Sequence, residues 1–101
     1  MKVVEFAVPR GCNLMAAEEL IEGVCAGRGL QLARKGSLAK FPGSVHWHYR
    51  RSGRGTLELT LLLEGRRVWA SVQDGRKADW IEKELPLLRK AIERELKKLK
   101  N

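Results

Sequence analysis

Three runs in the second half of the chain alternate apolar and polar residues with period two: Val45/Trp47/Tyr49, Leu57/Leu59/Leu61 and Val68/Ala70/Val72. Successive side chains of a strand point to opposite faces, so each run predicts a strand with one apolar side. Glu64-Gly65 separates the last two runs and reads as a two-residue turn. Pairing Leu63 with Arg66 across it sets Leu61 against Val68, Leu59 against Ala70 and Leu57 against Val72. A slip of one residue would turn apolar side chains against polar ones, which makes this hairpin strongly specified.

Upstream, residues 2–8 are rich in Val and Phe and stop at Pro9, predicting a strand closed by the turn Pro9-Arg10-Gly11. Asn13 then stands where it would cap a helix. Leu14, Ala17, Leu20, Ile21 and Val24 recur at helical spacing, Glu18, Glu19 and Glu22 turn mostly to water, and Gly27 and Gly29 end the run. Residues 30–35 predict another strand, with residues 36–44 either extending it or leading to a turn at Pro42-Gly43. The last element opens on Asp79 and Glu82 at capping-box spacing. It carries the stripe Ile81, Leu85, Leu88, Ile92, Leu96 and Leu99, with Pro86 expected to kink it or to mark a break near its first turns.

The order is β-α-β-β-β-β-α, which predicts an α+β fold: an antiparallel sheet of four or five strands with both helices on one face and the other face bare. This order resembles one half-repeat of the TATA-binding protein and, from the first helix onward, the double-stranded-RNA-binding domain. The likeness is one of inferred topology, without a shared motif, and it implies a nucleic-acid-binding fold.

Length and composition narrow the picture. A chain of 101 residues suits a single domain. No apolar run approaches the roughly 20 residues that span a bilayer. The N-terminal segment has Glu5 inside a short apolar run and no signal-peptide pattern, so a cytoplasmic protein with no membrane partner is expected. Cys12 and Cys25 flank a predicted helix whose 13 residues would hold them about 20 Å apart. A disulfide tolerates about 7 Å between Cα atoms, so both are expected to be free thiols. Asn and Gln total four while charged residues reach 32%, a bias seen in proteins from hot environments.

The net charge is +8, and residues 30–78 carry +7 of it. In that segment His46-Trp47-His48-Tyr49-Arg50-Arg51 joins imidazoles, aromatic rings and guanidiniums. If Val45, Trp47 and Tyr49 face the core, then His46, His48 and Arg50 face outward, beside Glu58, Thr60 and Trp69 of the neighbouring strands. Two histidines at this spacing with Glu58 can supply three ligands to zinc or a related ion. The pattern HxH is weakly specific, however, and resembles the first half of a cupin motif without its following Glu. The expectation is therefore a wet polar face with no metal and no cofactor. Cys12 beside Arg10 at a helix start has no base to activate it, so no catalytic site is expected either.

Nucleic acid accounts for more of these residues. Arg50, Arg51 and Arg54 at one end of the sheet, Arg66 and Arg67 after the opposite turn, and Arg76 and Lys77 before the last helix can neutralise phosphates, and an exposed Trp69 offers a face for a base. The expected interface is therefore His46, His48, Arg50, Arg51, Arg54, Arg67, Trp69, Arg76 and Lys77, in a small non-catalytic binding module. The rival expectations are a homodimer through an exposed sheet face bearing Leu62 and Trp69, and a small-ligand site between sheet and helices.

Overall fold

The computed structural model describes residues 1–100. Five strands form one antiparallel sheet: β1 (Lys2–Phe6), β2 (Gln31–Leu38), β3 (Phe41–Arg50), β4 (Leu57–Leu62) and β5 (Arg67–Val72). Their spatial order is β1-β5-β4-β3-β2. The chain leaves β1 at one edge, crosses the sheet through helix α1 (Ala17–Gly27) and returns as a four-strand meander. Helix α2 (Asp79–Leu96) completes the layer.

Both helices cover one face. Trp47, Leu57, Leu59, Val68 and Ala70 from the sheet, Ala17, Ile21 and Cys25 from α1, and Leu88, Ile92 and Leu96 from α2 are fully buried in one core. The Leu61–Val68 and Leu59–Ala70 pairs stand as the alternation requires. The turn between them keeps that register, and the Arg66 amide donates to the Leu63 carbonyl at 3.1 Å across Glu64-Gly65. Leu62 pairs with Arg67, leaving Leu63 to Arg66 as the loop, and Arg66 adopts φ 52°. That backbone is stabilised from outside, since the Arg66 guanidinium donates to the carbonyls of Pro9, Arg10 and Cys12.

Three local signals resolve differently from their sequence reading. The turn between β2 and β3 falls at Ala39-Lys40 rather than Pro42-Gly43, so β3 begins at Phe41 and runs for 10 residues. Asn13 precedes a short 3₁₀ turn (Leu14–Ala16), and its side chain accepts no capping bond. Asp79 is already helical, with Ala78 in the cap position, so no capping box forms. Pro86 stays inside α2 as the eighth residue of an uninterrupted 18-residue helix, so it marks no break. The cysteines are both buried and unbridged. No helix among the described residues is long and apolar enough to cross a membrane.

The β3–β4 loop is fastened to the start of α2. Arg54 accepts a hydrogen bond from Trp80 Nε1 at 2.8 Å, and the Thr56 amide donates to the Arg76 carbonyl at 3.0 Å. Gly55 sits at φ 104°, where a Cβ would lie 2.5 Å from that of Ala78. Only glycine serves both the left-handed backbone and the close approach.

Candidate functional site

The sheet face away from the helices is not bare. Strand β3 is four residues longer than its partner β4, and β2 pairs along it through two register shifts. Such shifts bend and twist a strand pair. The hairpin tip consequently covers the outer face: Phe41 meets the Trp69 ring edge-to-face, centroids 5.3 Å apart. Trp69, expected to be exposed, is 6% exposed, and Thr60 beside it is fully buried. The patch proposed for a homodimer is thereby covered at its tryptophan.

Under the hairpin lies a polar cluster. Register pairs His46 with Thr60 and His48 with Glu58 across β3 and β4, so alternation brings all four side chains to the outer face as expected. His46 is buried and bonded at both ring nitrogens, with Nδ1 2.8 Å from Thr60 Oγ1 and Nε2 3.0 Å from Glu58 Oε1. His48 Nε2 stands 3.8 Å from the same carboxylate oxygen. The two imidazoles meet edge-to-face at 5.1 Å. Arg76 Nη1 lies 3.6 Å from the other oxygen, Glu58 Oε2. Burial holds the His48 pKa below its ordinary value, Glu58 pulls it back up, and the positive charge of Arg76 and Arg34 adds to the depression.

This cluster floors an open groove of about 660 Å³ whose walls include Arg34 and Gly36 from β2 and Gln73 and Arg76 from the segment after β5. Arg34 stands opposite His48 in the β2–β3 register. The sequence reading omitted it. A bulge between Leu32 and Arg34 returns Arg34 to the outer side, whereas Leu32 and Lys35 face the helix side. Lys35 there pairs with Glu18 and Glu22 of α1, both at 2.6 Å. That switch of side has no signature in residue type, so period-two reasoning does not find it.

The expected nucleic-acid residues divide into groups. His46, His48 and Arg76 meet at the groove. Arg51 is committed elsewhere: it donates to the Arg28 carbonyl at 2.7 Å and to Glu84 at 3.2 Å, and it stacks over Trp80. Arg67 pairs with Glu5 and caps the Trp69 ring 4.3 Å away, at the opposite end of β5. Lys77 lies 3.9 Å from Asp74. Arg50 and Arg54 are exposed and have no acidic partner among the described residues. Trp69 is closed to a stacking base.

The cysteines offer no activated nucleophile. Burial raises the Cys12 thiol pKa despite the opposing pull of Arg66, and it pushes Cys25 to about 12. The pairing of Cys12 with an arginine therefore does not yield a thiolate.

Comparison with protein-family models, with curated proteins and with solved structures finds no match.

Proposed function

We propose that the protein is a small basic module that binds nucleic acid along the β2–β3 margin of its sheet, through the phosphate backbone rather than through a stacked base. The observation that carries this reading is which positive charges remain unspent. Of the ten basic side chains in residues 30–78, Lys35, Arg51, Arg67, Arg76 and Lys77 have acidic partners and Arg66 is bonded to carbonyls. Arg34, Lys40, Arg50 and Arg54 have none among the described residues, and all four lie on β2, β3 or the turns that flank β3.

Arg34 and Arg50 share the groove side of the sheet. Gln31 pairs with Arg50 and Arg34 with His48, so the two arginines are diagonal neighbours. Diagonal neighbours lie roughly 7–8 Å apart and can serve successive phosphates of one strand. Arg76 extends the positive edge across the groove. This replaces the flat-sheet interface with a ridge and groove, and it removes Trp69 from the contact set.

Fluorescence anisotropy with labelled single- and double-stranded RNA and DNA, at two salt concentrations, tests the proposal. Binding should fall steeply with salt. Removing two single-strand phosphate contacts in R34A/R50A should flatten the logarithmic salt slope by about 1.4. Arg67→Ala, at the far end of β5, should leave the slope nearly unchanged. No binding by the wild type to any of these probes at low salt refutes the proposal.

A further inference from the structure

We infer that His46, His48 and Glu58 form a binding site for one divalent first-row transition-metal ion, zinc foremost, with an open coordination position facing the groove. This inference does not depend on nucleic-acid binding, since it stands on the disposition of three ligand atoms. One atom from each residue lies within 4.8 Å of the other two. The separations from Glu58 Oε1 are 3.0 Å to His46 Nε2 and 3.8 Å to His48 Nε2. Ligands held at 2.0–2.1 Å from a tetrahedral zinc stand about 3.3 Å apart, so the two distances bracket what the ion requires. The two imidazole nitrogens stand at most 4.8 Å apart, so rotation of the His48 ring toward His46 closes the set.

The surroundings fit a metal better than the alternatives. A metal-binding imidazole is normally oriented through its other nitrogen, and His46 has Thr60 Oγ1 2.8 Å from Nδ1 for that purpose. Thr60 is itself fully buried, which fixes the ring. Glu58 offers Oε1 to the ion while Arg76 steadies Oε2. The opposing possibility is a histidine pair that shuttles protons to and from a bound substrate. That chemistry needs both rings to touch the substrate, and His46 is buried with both nitrogens engaged. A metal needs only one accessible position, and half-buried His48 stands at the groove. Two imidazoles and one carboxylate favour zinc and its first-row neighbours over magnesium or calcium, which take oxygen ligands.

The test is isothermal titration of chelator-treated protein with zinc, together with the visible spectrum of the cobalt-loaded protein. The inference expects about one zinc per chain and a cobalt spectrum of nitrogen and oxygen ligation with no thiolate charge-transfer band. His48→Ala and Glu58→Gln should each weaken zinc at least a hundredfold. Thr60→Val, which keeps all three ligands, should weaken it about tenfold or more through loss of His46 orientation. His46→Ala removes a buried side chain and can unfold the domain, so the decisive variant is His48→Ala, checked for native circular dichroism. Absence of uptake by the wild type overturns the inference. Uptake that His48→Ala leaves intact, or a thiolate band from Cys12 or Cys25, assigns the metal elsewhere and overturns it equally.

Discussion

Glu84 provides the sharpest test of how the helix layer is tied to the sheet. It lies on the buried side of α2 with 5% of its side chain exposed, and it receives Arg28, from the end of α1, and Arg51, from the loop after β3. Burial works against its ionisation, but hydrogen bonds from Arg28 and Arg51 outweigh burial and leave its pKa below the ordinary value. Glu84→Gln keeps the shape and removes the charge. Breaking a fully buried ion pair costs about 3–5 kcal/mol, but the two arginines are 33% and 31% exposed and regain water. A loss of about 1.5–3 kcal/mol is expected, a shift of about 1–2 M in the urea midpoint.

The pH dependence carries a fixed sign. A carboxyl whose folded pKa lies below its unfolded value, about 4.3 for Glu, contributes stability that is complete above that unfolded value. The contribution is lost as pH falls through the lower, folded pKa. The wild type and Glu84→Gln should therefore differ most at pH 5–7, and the gap should narrow as pH falls below the unfolded value and close as it passes through the lower, folded pKa. Taking the difference between the two proteins cancels the titration of every other carboxylate. Equal stability at pH 7, or a gap at pH 3 as wide as at pH 7, would refute this account of the ion pairs.

Trp47→Ala should cost about 3–5 kcal/mol in chemical denaturation, since the side chain is fully buried at the centre of the core. Trp47→Phe should recover most of that loss but leave about 1 kcal/mol, the worth of the 2.8 Å bond from Nε1 to Glu22; full recovery would show the bond to be idle. Phe41→Ala should expose Trp69, raising acrylamide quenching of tryptophan fluorescence at a cost of about 1–2 kcal/mol. Unchanged quenching would mean that Phe41 does not hold the hairpin over the outer face.

The strands and their partners were legible because each carries a period-two pattern whose apolar face must be buried, and burial penalises every wrong register together. Leu59 against Ala70 and Leu61 against Val68 follow from that alone. Caps and turns were less legible because several residue types satisfy the same backbone. Asp79 has cap chemistry and cap spacing, yet the β-region conformation that a cap requires is taken by Ala78, one residue earlier. Arg66 shows the reverse: nothing in its type announces φ 52°, and the conformation is held by three carbonyls of the loop after β1, a segment more than fifty residues away in sequence.

The outer face was legible in content and illegible in exposure, for a single physical reason. Alternation decides which side of a sheet a residue takes, and it placed His46, His48, Glu58, Thr60 and Trp69 together on one side. Whether that side meets water depends on how far a neighbouring hairpin curls. Here the curl comes from the extra length of β3 and from two register shifts against β2, one at Leu32–Arg34 without a signature in residue type and one opposite Pro42-Gly43, where Gly43 takes φ 82°. Phe41 at the tip then finds Trp69, and the pair shields one end of the cluster while the groove leaves the other end open. Partial cover changes the chemistry available to the same residues. On a wet sheet two imidazoles and a carboxylate exchange partners with solvent. Beneath the hairpin they are held within 4.8 Å of one another, with Arg34 and Arg76 at the rim of the groove.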